Sequence, residues 1–392
     1  MRRVYLILCG SLAAQALGQS AMFAVLPTLG REVGLREIQV GAIIAASSIV
    51  FFVASPLWGR ASDRYGRRRI FLTGQIGYVV GGSLFAMSFA LALSGVLAPI
   101  AAWIAMILAR MTQATLMSAS APAAAAFIAD ITAPGDRARG LARIGAANNL
   151  GSIAGPAVGG ALAAFSLFAP FVLAVVSVAI AWLLSMRFLP GAPQQHAVAV
   201  RPRVALSDPR LLPWIVPGIA MFMGAAIVQQ TLSFRVQDAL VLGPADAAAA
   251  FGSTMMASAI AGLFAQSFVV QRVSLAPAAW LLIGLPLIAL ALATMGLLAS
   301  FPMFVAANVA MGLGLGFAGA GFNAGASLAV SAEEQGAVAG ITASCSAAGW
   351  IVGPLLGPGL YELAPPAPFL VGALAIVVVA VRTRSLLGTS RR

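Results

Sequence analysis

The chain has 392 residues, 61% of them hydrophobic and 9% charged, with a formal net charge of +12. A soluble domain carries roughly 25% charged residues, so this composition excludes a water-covered surface and requires lipid around most of the outside. All 23 basic residues are arginine, set between apolar runs, which reads as membrane orientation and not as a nucleic-acid footprint.

A membrane-spanning helix needs roughly 20 mostly apolar residues. Twelve segments qualify: 4–26, 39–59, 70–94, 98–129, 143–163, 167–189, 213–237, 247–270, 278–299, 302–330, 338–361 and 367–383. Met1-Arg2-Arg3 before the first of them imitates a signal peptide. Because its apolar stretch runs on to Leu26, it is read as a retained first helix. Small residues are abundant throughout, as expected where helices pack closely in lipid.

Alternating the spans from a cytoplasmic N-terminus sorts the arginines. Arg2, Arg3, Arg60, Arg64, Arg67, Arg68, Arg69, Arg137, Arg139, Arg143, Arg187, Arg201, Arg203, Arg210, Arg272, Arg382, Arg384, Arg391 and Arg392 fall on the cytoplasmic side. Arg31 and Arg36 fall opposite, and Arg110 and Arg235 fall within spans. This positive-inside bias predicts a multi-pass protein of a bacterial-type inner (plasma) membrane with both termini cytoplasmic.

The longest polar stretch, 190–212, divides the chain into an N-terminal six-helix bundle (1–189), a central cytoplasmic loop (190–212) and a C-terminal six-helix bundle (213–392). A repeat supports the division. Gly151-Ser152-Ile153-Ala154-Gly155-Pro156-Ala157-Val158-Gly159 returns as Gly349-Trp350-Ile351-Val352-Gly353-Pro354-Leu355-Leu356-Gly357, at an offset of 349 − 151 = 198. Duplicated halves suggest a transporter with its site at the repeat interface. Cys9 and Cys345 lie in apolar segments and the lone His196 in the central loop, so no metal or disulfide framework is expected. No cofactor is implied. No nucleotide-binding Gly-rich loop, paired carboxylates or nucleophile constellation appears, and an enzyme is not expected.

The loop after the second segment reads Gly59-Arg60-Ala61-Ser62-Asp63-Arg64-Tyr65-Gly66-Arg67-Arg68-Arg69. It resembles the signature between helices 2 and 3 of the major facilitator superfamily. Helix count, the half-chain repeat and the central loop extend the resemblance to the whole chain. The fold implied is all-α and integral to the membrane, with 12 transmembrane helices in two six-helix bundles. The resemblance implies that Asp63 and the arginines around it, including Arg64, Arg67 and Arg68, form a cytoplasmic gating latch, with Gly59 and Gly66 permitting tight turns. The matching loop of the second half, Gln271-Arg272-Val273-Ser274, does not keep the signature.

Gly151, Gly155, Pro156, Gly159 and Gly160 in the fifth segment resemble the antiporter motif of the superfamily's drug/proton exporters. Gly349, Gly353, Pro354 and Gly357 repeat it in the eleventh, implying one hinge geometry in both halves. Gln15 through Pro27 is similar to helix 1 of the twelve-helix drug/proton antiporters. There an acidic residue of tetracycline/proton antiporters aligns with Gln15, an amide here. Leu108-Ala109-Arg110-Met111-Thr112-Gln113-Ala114 resembles the helix 4 motif tied to proton transfer, with Ala114 where glycine is usual. An embedded arginine is generally functional.

The eleven acids, Glu32, Glu37, Asp63, Asp130, Asp136, Asp208, Asp238, Asp246, Glu333, Glu334 and Glu362, all fall in loops or near helix ends. Arg110, Gln113, Gln15, Gln19, Asn148, Gln229, Gln230 and Arg235 are therefore the expected substrate and proton pathway. Asn149, Asn308 and Asn323 are further cavity candidates, Met221, Phe222 and Met223 a candidate apolar wall, and Asp130 and Asp238 stand in as proton sites. Arginine and amides without a carboxylate favour an anionic or hydroxyl-rich substrate over an organic cation. The function expected is drug or metabolite efflux of small molecules by proton antiport, from a monomer in the lipid bilayer without nucleic acid. The alternatives are a dedicated exporter of an anionic metabolite such as a carboxylate siderophore, or an organic-anion importer.

Overall fold

The computed structural model describes residues 2–191, 205, 208–331 and 334–389. The expectations resting on His196, Arg201, Arg203, Glu333, Arg391 and Arg392, and on most of the central segment, lie outside them. Among the described residues all regular structure is helical.

Twelve long helical elements follow one another. They are α1 (Arg2–Glu32), α2 (Glu37–Tyr65), α3 (Arg67–Leu93), α4 (Pro99–Met117 continuing as Ser120–Ile131), α5 (Arg137–Ala163) and α6 (Ala169–Phe188). Then come α7 (Leu212–Leu240), α8 (Pro244–Phe264 continuing to Arg272), α9 (Pro277–Leu297), α10 (Phe301–Leu328), α11 (Gln335–Leu363) and α12 (Ala367–Thr389). Each predicted span lies largely within one of them. Prolines in the first turns of α4, α6, α7, α9 and α10 set where those helices start, since proline gives up only an N–H that has no helical partner there.

Eleven of the elements are long and apolar enough to cross a membrane, α5 being the exception. Its Arg137, Arg139, Arg143, Asn148 and Asn149, with its many glycines, dilute the apolar content. The predicted fourth span is one helix in expectation and two pieces in the structure. Pro122 cannot donate to the Ser118 carbonyl and its ring crowds that turn, and the helix breaks there, with the Ala119 N–H reaching the Leu116 carbonyl instead. In α8, residues Ala265–Val269 form a π-helical turn.

Two compact units are formed: Met1–Val198 with Gly243–Gly252, and Ala199–Leu242 with Ser253–Arg392. In the first, α1 packs on α5 and α6, α3 on α4 and α6, and α2 on α4. In the second, α7 packs on α11 and α12, and α9 on α10 and α12. Along α4, Ile104, Leu108 and Thr112 are exposed, while Ala102, Met106, Ala109, Arg110 and Gln113 are buried. This 3.6-residue rhythm turns apolar side chains outward, where only lipid accommodates them, and carries Arg110 inward.

Candidate functional site

A buried polar cluster with a full charge lies in the first unit, where α1, α3 and α4 meet. Arg110, at 1% exposure, is the largest fully buried side chain among the described residues. Its Nη1 donates to Gln19 Oε1 at 3.3 Å and to Gln113 Oε1 one turn on. Its guanidinium lies over the Phe85 ring, 5.5 Å from the centroid, a cation–π contact that offsets part of the desolvation. Phe89 and Phe171 hold that ring in place, at centroid distances of 5.2 and 5.9 Å. The buried Nε has no partner, and among the described residues no carboxylate pairs with this arginine.

Amides and glycines build the rest of the cluster. Gln113 Nε2 donates to the Tyr78 carbonyl at 3.4 Å, and Gln15 Nε2 to the Met117 carbonyl at 3.4 Å. Gln15 Oε1 is buried without a partner. Gly81 lets α3 press on α4, because a Cβ there would collide with the Gln113 backbone. Gly18 does the same for α1 against Ala174 and the Tyr78 hydroxyl. A positive charge at mid-span costs about 3 kcal/mol or more. The arrangement is therefore a cation held by neutral dipoles and a π face, with one donor, Nε, left open.

The second unit brings together a different set. Gln230 and Ser233 on α7, and Asn308 on α10, are buried with Nε2, Oγ and Oδ1 respectively unpartnered. Asn308 Nδ2 donates to the Phe304 carbonyl at 3.0 Å, and Gln229 is half-buried. Arg235 donates from Nε to the Met295 carbonyl at 3.3 Å and from Nη2 to that of Gly296 at 3.2 Å. These are the last carbonyls of α9, where a cation meets the negative end of the helix dipole. Asp238 accepts a bond from the Tyr361 hydroxyl at 2.6 Å. Asn148, Asn149 and Asn323 are exposed. Met221 is buried, Phe222 and Met223 half-buried.

The signature loop centres on Arg67. Gly66 joins α2 to α3 at φ +97°, a conformation that favours glycine. Arg67 donates from Nε to Asp130 Oδ2 at 3.0 Å and from Nη1 to Ser62 Oγ at 2.9 Å, and it pairs with Asp63. It thus ties together the ends of α2, α3 and α4, and it engages Asp130, one of the two acids expected to stand in as a proton site. Arg68 donates to the Met186 carbonyl on α6, and Arg64 lies over the Tyr65 ring. Gly59, expected at a tight turn, instead lies half-buried within α2, because the helix runs on to Tyr65 and only Gly66 makes the turn.

The repeated glycines mark equivalent contacts. A Cβ on Gly151, Gly155 or Gly159 of α5 would strike α1 at Ala13, Ser20 or Ala21. A Cβ on Gly349, Gly353 or Gly357 of α11 would strike α7 at Phe222, Ala226 or Thr231. Gly160 meets Ala248 and Gly252, of the same unit. Pro156 and Pro354 lie inside their helices. Sequence reasoning missed Tyr78 and Phe85 as neighbours of Arg110. It also missed Gln75, fully buried on α3 with both amide ends unpartnered. The sequence signal was present in Gln75 and Tyr78, polar groups inside an apolar run.

Among curated proteins, the chain is 35% identical over 191 residues to the class G tetracycline resistance protein of Vibrio anguillarum, covering 48% of this chain and 45% of that protein. It is 31% identical over 180 residues to multidrug resistance protein 1 of Bacillus subtilis (strain 168), covering 46% and 43%. The chain thus spans about half the length of the curated relatives it matches. Its fold is similar to that of a solved bacterial homologue of the iron transporter ferroportin in an inward-facing state, with TM-score 0.74 and 14% identity, covering 98% of this chain and 99% of the other. The model of the Major Facilitator Superfamily matches residues 8–275, more than half of the chain, and the chain belongs to that superfamily.

Proposed function

We propose that this chain is a secondary active transporter that exports small molecules across a bacterial-type inner membrane, driven by protons moving the opposite way. The observation that carries the reading is Arg110, a full charge buried in a spanning helix among amides, which membrane proteins keep for transport pathways and proton relays. Export is supported by the matched relatives, which are named for resistance to tetracycline and to multiple drugs.

In this reading bundles 1–189 and 213–392, joined by the cytoplasmic loop 190–212, alternate access to a central pathway. Gln15, Gln19, Arg110 and Gln113 of the first bundle and Gln229 and Gln230 of the second are the residues assigned to substrate and protons. Asn148, exposed on α5, and Arg235, held against the end of α9, are assigned with them. Gly59, Asp63, Arg64, Gly66, Arg67 and Arg68 form the cytoplasmic gating loop. The glycine contacts of α5 and α11 are the surfaces on which each bundle flexes. Both termini face the cytoplasm and the working unit is a monomer. A second reading, a dedicated exporter or importer of an organic anion, is favoured by one feature: every acid of the sequence lies in a loop or near a helix end.

The experiment uses energised inside-out vesicles and a dye that reports their acidic lumen. Alkalinisation on adding a lipophilic cation or a carboxylate chelator, lost in Arg110→Ala, is expected. No response to either class from correctly folded protein would remove proton-driven export of both.

A further inference from the structure

The charge on Arg110 is not balanced by the chain around it. Arginine does not shed its proton in proteins. Gln19, Gln113 and Phe85 contribute dipoles and a quadrupole but no net negative charge. On α1 the first acid beyond Gln19 is Glu32, 32 − 19 = 13 residues away and roughly 20 Å at 1.5 Å per residue. On α4 the first is Asp130, 130 − 110 = 20 residues away and already held by Arg67 at 3.0 Å. From α3 the neighbours are Tyr78 and Phe85, and from α6 Ala174 and Phe171, none of them an anion. A buried charge is retained when it is paired. One of its donors, Nε, is buried with no acceptor.

We propose that this cluster is an anion subsite. One monovalent anion, either a carboxylate on the transported molecule or a free halide, accepts from the Arg110 guanidinium, Nε included, and supplies the missing counter-charge. A planar fork of N–H donors suits a carboxylate above all. This rests on the reading of the Arg110 cluster as the substrate pathway and narrows it: the substrate carries an acid group, or it crosses together with a small anion. Gln19 and Gln113, whose oxygens face the guanidinium, orient it.

The test measures equilibrium binding of radiolabelled benzoate and of labelled chloride to the purified full chain in lipid nanodiscs. The buffer is bulky and zwitterionic. Saturable binding near one anion per chain is expected, weakened at least about ten-fold in Arg110→Gln. A second variant separates lost binding from lost folding. Gln19→Glu sets a carboxylate beside the guanidinium and so supplies the counter-charge internally. It is expected to abolish benzoate binding while its unfolding midpoint without anion matches or exceeds that of the wild type. Binding of benzoate without competition from chloride assigns the subsite to a substrate carboxylate, and mutual competition assigns it to either anion. Folded wild type that binds neither, or Gln19→Glu that binds benzoate as the wild type does, overturns the proposal. The transport reading fails separately. Proton movement driven by a lipophilic cation with no anion binding would keep the exporter and remove the subsite. Anion binding with no substrate-driven proton movement would do the reverse.

Discussion

In the first unit α5 lies on α1 through Gly151, Gly155 and Gly159, and in the second α11 lies on α7 through Gly349, Gly353 and Gly357. The backbone problem is the same in both: two spanning helices approach closely because neither has a Cβ in the way. The buried polar chemistry differs. The first unit encloses a full charge, Arg110, in amides and an aromatic face, and the second encloses the neutral Gln230, Ser233 and Asn308. The two units share the glycine packing and differ in the polar side chains they enclose. In the proposed transport function, chemistry that depends on substrate charge belongs to the charged unit.

The largest expected effect breaks that comparison directly. Arg110→Ala removes a buried charge with two hydrogen bonds, a loss of about 3 kcal/mol, and should lower energised efflux by roughly a hundred-fold. Gln230→Leu removes a neutral amide whose Nε2 has no partner and should lower it by less than about five-fold. Equal losses in the two variants would mean that the units share the chemistry.

The bridging arginines give the next contrast. Arg67 and Asp130 have side-chain exposures of 10% and 11%. Arg67→Ala leaves Asp130 and Ser62 without their donor and should cost about 2 kcal/mol, read as a lowered denaturation midpoint in detergent. Arg210 joins Asp208 and Glu334 in the second unit at 49% exposure. Its replacement by alanine should leave the midpoint nearly unmoved.

Two backbone positions sharpen the comparison further. Gly66, at φ +97° and ψ +137°, occupies a region that side chains rarely enter. Gly66→Ala should destabilise by about 1–2 kcal/mol. In the second unit the left-handed position closing α7 is held by Val241, at φ +52° and 90% exposed. A β-branched residue is strained there and buries nothing, so Val241→Gly should stabilise by about 0.5–1 kcal/mol. The same denaturation series reads both.

Much of the fold was legible because each span must exceed a fixed apolar length, which composition reveals. The kink at Ser118 was legible in principle from Pro122, whereas no proline or glycine marks the π turn at Ala265–Val269. Arg110 stood out because a charge in an apolar run is rare. Its neighbour Phe85 did not, since an aromatic in a spanning helix reads as ordinary packing until α3 is seen against α4, and Tyr78, though a polar group inside an apolar run, names no partner by itself. Asp130 was visible as an acid near a helix end, but its pairing with Arg67, 63 residues away in sequence, is a tertiary fact.

The smallest effect concerns pH and the exposed network before α7. The hydrogen bonds from Arg210 hold both the Asp208 and Glu334 carboxyls below their ordinary values of 3.8 and 4.5. A carboxylate whose folded value is depressed binds protons more readily when unfolded. Its contribution is therefore complete above the ordinary value and is lost as pH falls through the lower, folded one. The network should thus support the second unit fully above about pH 4.5, weaken below that, and never titrate on the alkaline side, because Arg210 is pushed further up by the same bonds. Arg210 is half exposed and its two carboxylates partly so, and the term is therefore small and screened by salt. Arg210→Gln should flatten the acid limb of stability below about pH 4.5 while leaving the curve at pH 7 almost unchanged, and about 0.5 M salt should reproduce part of that flattening in the wild type. Arg67→Ala should instead lower the whole curve, since its pair is shielded from both water and salt. If Arg210→Gln lowered stability at pH 7 as much as Arg67→Ala, the second unit would depend on its bridging arginine as the first does, and the contrast between a buried and an exposed bridge would fail.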